Sequence, residues 1–477
     1  MSRAKSSGQL AIVLHTHMPY VEGFGTWPFG EEWLWEAIAC SYLPLLELLD
    51  SGAPLTLSLT PVLCDQLEAS AVPERFVRFL EEVRRYTHEE DIEGLRAGGH
   101  EQLARELERS WREDYAWAIR RFSERGGDLL GAFAPHAQWT SSATHAVLPL
   151  LASDAGIRAQ VQTGVQSHRA RLDADWQGGF WLPECAYTPY LEPLLEDAGV
   201  RTVCLELTDR FGLGAREHLQ PLLGDAGVVI VPVDRASMSL VWSEDGYPAN
   251  GGYRDYHRHT IHHHNPWAND GGAYDHERAL GLAREHAADF VARVKARLRR
   301  DGEGLAGGGL LVCALDTELL GHWWYEGVSW LEAVLEECSR QQLELVRLDE
   351  ALAWHEPQAA PGRLLGESQA VSWGEGRDLS TWSGPSVAQL AFAARAAELE
   401  LVHTAGAASR TALRELLALQ SSDWAFMVSR GLAVPYAHER FEGHARALER
   451  ALADGARSDE AALGNLAAHA DPRVLEN

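Results

Sequence analysis

Residues 11–23 read AIVLHTHMPYVEG, an apolar run that passes without a break into His15-Thr16-His17. Continuous rather than alternating hydrophobicity marks a strand buried on both faces, as in a parallel sheet covered by helices. Side chains alternate along a strand, so His15 and His17 point the same way at its carboxyl end. Such a pair holds either a metal ion or a polar substrate, and the rest of the chain has to decide between them.

Runs of the same kind recur with helical stretches between them: LAIVLH (10–15), APLTLSLT (53–60), GAFAP (131–135), FWLPE (180–184), TVCLEL (202–207), VVIVPVD (228–234), LLVCALD (310–316) and LELVRL (343–348). Strands alternating with helices predict an α/β, barrel-like domain whose active site lies at the carboxyl ends of the strands. Several of these runs end in His, Glu or Asp. Between about residues 66 and 125 the pattern is charged and helical and too long for a simple crossover, which predicts a helical insertion. The stretch WHEPQAAPGRLL (354–365) marks a domain edge. Beyond it three helical patterns predict a C-terminal helical domain over 361–477, leaving 1–360 to the catalytic domain.

Composition narrows the function. The chain has 477 residues, 69 acidic against 42 basic, and a formal charge of −27. That charge would repel nucleic acid and anionic membrane surfaces. No apolar stretch approaches the roughly eighteen residues of a membrane span, and the first apolar run is too short for a signal peptide. Six scattered cysteines without CxxC spacing predict neither a disulfide framework nor a zinc knuckle, and fit a reducing cytoplasm. Tryptophan stands out: 17 residues against 12 each of Tyr and Phe. Many sit in polar loops, where flat rings beside hydrogen-bonding groups suit sugars.

Two carboxylates are candidates for chemistry. Glu184 ends a strand in GGFWLPECAY, among Pro, Cys and aromatics that keep water away; a lone strand-end Glu is otherwise a solvated or ion-paired residue. Asp316 ends LLVCALD and is followed by Glu318, His322, Trp323 and Trp324; alone it reads as the cap of the next helix. Together they form the pair that glycoside hydrolysis requires, one attacking the anomeric carbon and one protonating the leaving oxygen. The competing reading is a metal-dependent amidohydrolase or deacetylase, with His15, His17 and a strand-end Asp as ligands. It needs further strand-end histidines; His145 is available, but FWLPE and VVIVPVD end in acids. The histidine-rich DYHRHTIHHHNPW (255–267) matches no zinc spacing and reads as a solvated loop. Gly-rich AGGGL (306–310) lacks the residues of a phosphate loop.

The motifs LHTHMPYV, GTWPFGEEW, TSSATHAVLPLL, FWLPECAY, DTELLGHWWYEG, SWGEGRDLSTW and SSDWAF occur in an order that resembles glycoside hydrolase family 57, and within it the 1,4-α-glucan branching enzymes. The resemblance implies a (β/α)7 barrel with a helical insertion and a C-terminal helical domain. It implies a retaining reaction on an α-glucan polymer without cofactor or metal, transferring an α-1,4 chain to a 6-hydroxyl; an α-amylase-like hydrolase or 4-α-glucanotransferase of the same family is the alternative. On this resemblance Glu184 is the nucleophile and Asp316 the acid/base. His15 and His145 line the donor-sugar subsite, Trp27, Trp33, Trp373 and Trp382 lie at or near the glucan groove, and Asp423 is contributed by the helical domain. His17 keeps a structural or substrate-touching role. One departure stands out: after DGYPANGGYRDYHRHT those enzymes continue with a longer loop carrying a Lys-Tyr-Trp-Arg-like segment, whereas here HHHNPWANDGG leads quickly into a helix. The resemblance therefore bears more directly on α-glucan chemistry than on branching.

Overall fold

The computed structural model describes residues 8–25, 30–360, 362–367, 369–404, 408–454 and 463–476. Its centre is a parallel sheet of β1 (Gln9–Thr16), β2 (Thr56–Leu59), β3 (Ala137–Ser141), β4 (Gly179–Trp181), β5 (Thr202–Leu205), β6 (Val229–Pro232) and β7 (Leu310–Asp316). The spatial order is β6-β5-β4-β3-β2-β1-β7. The sheet curls until its outer strands meet, the Asp234 N–H just beyond β6 donating to the Val312 carbonyl of β7 at 2.8 Å. This is the seven-stranded, barrel-like α/β arrangement expected. Two-residue strands extend it: Glu344–Leu345 beside β1, Leu222–Leu223 antiparallel to β6, and Gln358–Ala359 outside that.

β1 is buried along its whole length. Leu10 to Leu14 are at most 1 % exposed, which is why the run carries no polar alternation. Cutting one such leucine to alanine costs about 2–5 kcal/mol. Its register with β7 runs from Gln9 opposite Leu310 to His15 opposite Asp316. Pairing therefore delivers the first histidine and the second carboxylate side by side at the barrel mouth.

Two runs differ from their expected roles. GAFAP lies in a helix, Leu129–Phe133, because Asp128 caps it by accepting the Gly131 N–H at 2.7 Å; the strand follows at Ala137–Ser141. LELVRL pairs only at Glu344–Leu345, since the Leu348 N–H turns to the Thr56 hydroxyl at 2.7 Å and opens a helix, Leu348–Leu352.

Helices fill the segment between β2 and β3, and Arg84 fastens them to the barrel. Its guanidinium, 3 % exposed, donates to Glu32 at 2.6 Å and Glu36 at 2.5 Å. Helices Ala388–His403, Arg410–Leu419, Ser422–Arg430 and Val434–Asp454 make up the C-terminal part. It is stitched to the mouth by an antiparallel bridge between Ala146 and Ser421 and by the Ser422 N–H on the His145 carbonyl at 3.1 Å. The Ser421 hydroxyl caps helix Ser422–Arg430, and Gly431, at φ 68°, ends it. Ser422 and Asp423 thus ride the first turn of a helix docked on the barrel mouth. No described helix is long and apolar enough to cross a membrane. All six cysteines are free thiols.

Candidate active site

Glu184 follows β4 on a turn in which it (φ 62°) and Cys185 (φ 49°) both adopt the left-handed conformation; His145 (φ 60°) does so across the mouth. Each such residue costs about 1–2 kcal/mol relative to the ordinary helical region, and conformations of this kind persist where packing fixes a side chain for use. The Glu184 carboxylate accepts from the Trp373 indole at 3.1 Å and the Ser422 hydroxyl at 3.2 Å, while its carbonyl takes the Trp373 N–H at 2.9 Å. Burial pushes its pKa up to about 7, partly opposed by the Trp373 bond; Asp423 raises it further, and His17 and Ser422 pull it down.

The carboxyl of Asp316 is differently served. No hydrogen-bond donor reaches it among the described residues, and burial, then Glu318, then Glu184 hold its pKa well above the usual range. Glu318, 7 % exposed, accepts from the Tyr42 hydroxyl at 2.6 Å and the His17 N–H at 3.1 Å. The turn carrying it is locked by a Thr16–Thr317 hydroxyl bond at 2.7 Å and by Ser41 donating to the Thr317 carbonyl at 2.9 Å. At Gly321, φ 102°, any side chain would collide with the Cys40 carbonyl, so glycine lets this loop lie against the helical segment that carries Tyr42.

Between the two acids lies a stack of rings. His15 stacks on Trp181 (4.8 Å between ring centres) and on His145 (4.9 Å), and His145 stacks on His17 at 3.9 Å. His15 and His145 have pKa values far below normal, from burial and then from the neighbouring His17, so both are neutral. For His17, burial is outweighed by Asp423, which accepts from its Nε2 at 3.0 Å, and the net shift is upward. A neutral imidazole has one N–H and one lone pair, so an ionised Glu184 fixes a direction through the whole set. Ser422 donates to Glu184, His145 Nδ1 donates to Ser422 at 2.9 Å, His15 Nε2 donates to His145 Nε2 at 2.9 Å, and Ser58 donates to His15 Nδ1 at 3.3 Å. The relay reaches from Ser58 of β2 to Glu184.

Atoms of His17, His145 and Asp423 that could ligate a metal lie within 4.8 Å of one another. Metal ligation requires lone pairs that converge on one point. Here the His17 and His145 rings are parallel to within 17°, both nitrogens of His145 are engaged by Ser422 and His15, and His17 already serves Asp423. The trio is bonded as a stack.

Residues 138–361 match the family model described as Glycosyl hydrolase family 57, and residues 389–472 match that of the 1,4-alpha-glucan branching enzyme C-terminal region. A 1,4-alpha-glucan branching enzyme of Thermococcus kodakarensis is 31 % identical over 93 % of this chain and 73 % of its own. The chain belongs to glycosyl hydrolase family 57. Within the family it is similar to the crystal structure of a branching enzyme from Pyrococcus horikoshii, with a TM-score of 0.86 at 28 % identity over 98 % of this chain and 97 % of that one. It is also similar to the alpha-amylase AmyC from Thermotoga maritima, with a TM-score of 0.80 at 25 % identity over 98 % and 99 %.

In this member of family 57 the fold brings Glu184, Asp316, His15, His145, Trp373 and Asp423 into one mouth. Trp373, which donates to Glu184, packs edge-on against Trp181 (4.9 Å) and Trp242 (5.0 Å). Trp33 packs against Tyr436 of the C-terminal helices at 5.4 Å. Trp382 is 3 % exposed and packs with Val147, Ala186, Val387 and Ala425, with its ring beside Gly374 of the Trp373 loop. Trp27 lies outside the described residues. The histidine run is solvated only in its first part: His257 and His259 are exposed, whereas His262 bonds Asp91 at 2.8 Å, His264 is 3 % exposed with its ring tilted against that of His88 at 3.7 Å, and Arg84 donates to the His262 carbonyl at 3.1 Å. The insertion helix Arg85–Ala97 supplies Asp91 and His88, and Arg84 directly precedes it, which local sequence could not reveal. Sequence reasoning also passed over Ser422, Ser58, Tyr42 and Glu318. Ser422 adjoins Asp423 and Glu318 lies two residues beyond Asp316, and neither carries a local signal that separates it from a helix cap.

Proposed function

We propose that this chain is a 1,4-α-glucan branching enzyme that works by a two-step retaining mechanism. Ionised Glu184 attacks the anomeric carbon of an α-1,4-linked glucosyl unit; as the C1–O bond breaks, the Asp316 proton passes to the leaving oxygen and the downstream chain departs. The 6-hydroxyl of an acceptor chain then attacks C1 of the glycosyl ester, gives its proton to Asp316 and frees Glu184, leaving an α-1,6 branch. His15, His145 and Asp423 line the donor-sugar subsite, with Trp373 beside them. The single observation that carries the reading is the contrast at the mouth: Glu184 meets two donors and Asp316 none, so one carboxyl is kept ionised and the other protonated. The likeness to branching enzymes over most of the chain supports the choice of acceptor. We place the enzyme in a reducing cytoplasm, where free thiols persist, acting on glycogen-like polymer.

A hydrolytic reading has its own support in the likeness to an alpha-amylase over nearly the full chain and in the short segment after Tyr256. Incubation with amylose followed by enzymatic debranching decides between them. New short chains are expected; reducing ends that rise without branches would replace transfer by hydrolysis.

A further inference from the structure

Asp316 and Glu318 face the same mouth from one turn, and the fold treats them oppositely. Glu318 accepts from the Tyr42 hydroxyl of the helical segment at 31–50 and from the His17 N–H at the end of β1. Asp316 has neither bond; it faces Glu184 from the end of β4 and, in register, the neutral imidazole of His15. Behind His17 stands Asp423. When neighbouring carboxyls compete for a proton, the one receiving donated hydrogen bonds ionises first and the other retains it. We propose that Glu318 is a positioning residue: the anchored, ionised carboxylate whose charge keeps the proton on Asp316 until the glycosidic oxygen takes it.

This rests on Asp316 being the acid of the reaction. Burial also acts on Glu318, whose pKa is pushed up to about 7, with Tyr42 and the backbone opposing it. Glu318 and Glu184 thus both ionise near neutrality, while Asp316, without a donated bond, is held well above the usual carboxylate range by burial and by these two neighbours. Three acids at one mouth then act in sequence: one nucleophile, one proton donor, and one fixed charge that separates their titrations.

The test compares wild type with Glu318→Gln, Tyr42→Phe and Asp316→Asn on maltoheptaose and on an activated maltosyl fluoride, whose leaving group departs without a proton. Glutamine still accepts from Tyr42 and His17 but carries no charge. The alkaline limb of kcat/KM on maltoheptaose is expected to move down by about one pH unit or more, with at least a tenfold loss at pH 8. On the fluoride the loss is expected to stay within about threefold. Tyr42→Phe, which weakens the anchor, shifts the same limb in the same direction by less. An unmoved alkaline limb, or equal losses on both donors, overturns the proposal and makes Glu318 a packing residue. If instead Asp316→Asn keeps its rate on maltoheptaose, it is the assignment of the acid that fails.

Discussion

The ends of β4 and β7 carry the same functional group into the same mouth and leave it in opposite states. At β4 the chain turns through left-handed backbone to present Glu184 to an indole N–H and a serine hydroxyl. At β7 the chain continues from the strand, Asp316 stands without a donor, and the donors go to its neighbour Glu318. Burial raises both pKa values, so desolvation does not distinguish them. The distribution of donors does, and it is made by residues remote in sequence: Ser422 lies 238 positions from Glu184 and Tyr42 lies 276 from Glu318.

The sharpest way to break this contrast is to neutralise each acid in turn. Glu184→Gln and Asp316→Asn are each expected to lower turnover on amylose by about four orders of magnitude. On the fluoride donor only the aspartate variant should recover its first step, read as a burst of fluoride release, because forming the glycosyl ester there needs Glu184 but no acid; its turnover stays slow, since breaking the ester still needs Asp316 as base. Equal recovery would erase the division of roles. A smaller effect is expected at the relay. Ser422→Ala removes one donor from Glu184 and one acceptor from His145 Nδ1; hydrogen bonds to charged groups contribute about 1.5–3 kcal/mol, which converts to a ten- to hundredfold fall in kcat. A loss below twofold would show that Trp373 alone holds the carboxylate.

The smallest effect concerns stability. Because Glu184 titrates near 7 in the folded chain against an ordinary 4.5, its charge is disfavoured by folding. The penalty is absent below about pH 4.5, grows between 4.5 and 7, and is complete above 7, where it reaches at most about 3 kcal/mol. Glu184→Gln should therefore raise Tm at pH 8.5 and leave it unchanged at pH 4. A variant less stable at pH 8.5 would mean that the two donated bonds outweigh the cost of burying the charge.

Much of the fold was legible because parallel strands advertise themselves locally. β1 and β7 are continuous apolar runs because helices cover one face and the barrel interior the other. GAFAP misleads for the same reason: a short apolar run fits a buried helix as well as a strand, and the cap at Asp128 decided it. The positions of Glu184 and Asp316 were readable from strand ends. The burial of two other elements was not: Trp382, expected at or near the glucan groove, is 3 % exposed, and the histidine run, expected to be solvated, is so only in its first part and packs against the insertion in its second.

By itself the sequence determined the barrel, the helical C-terminal part and the two carboxyls at strand ends, since these depend on runs of a few residues and their spacing. The opening HTH shows what it left open. Only the tertiary structure brought His145 between His15 and His17, gave Asp423 to one ring and Ser422 to the next, and turned stacked lone pairs into a hydrogen-bonded relay. Protonation depends on which donors converge in three dimensions, and that convergence is set by chain segments hundreds of residues apart.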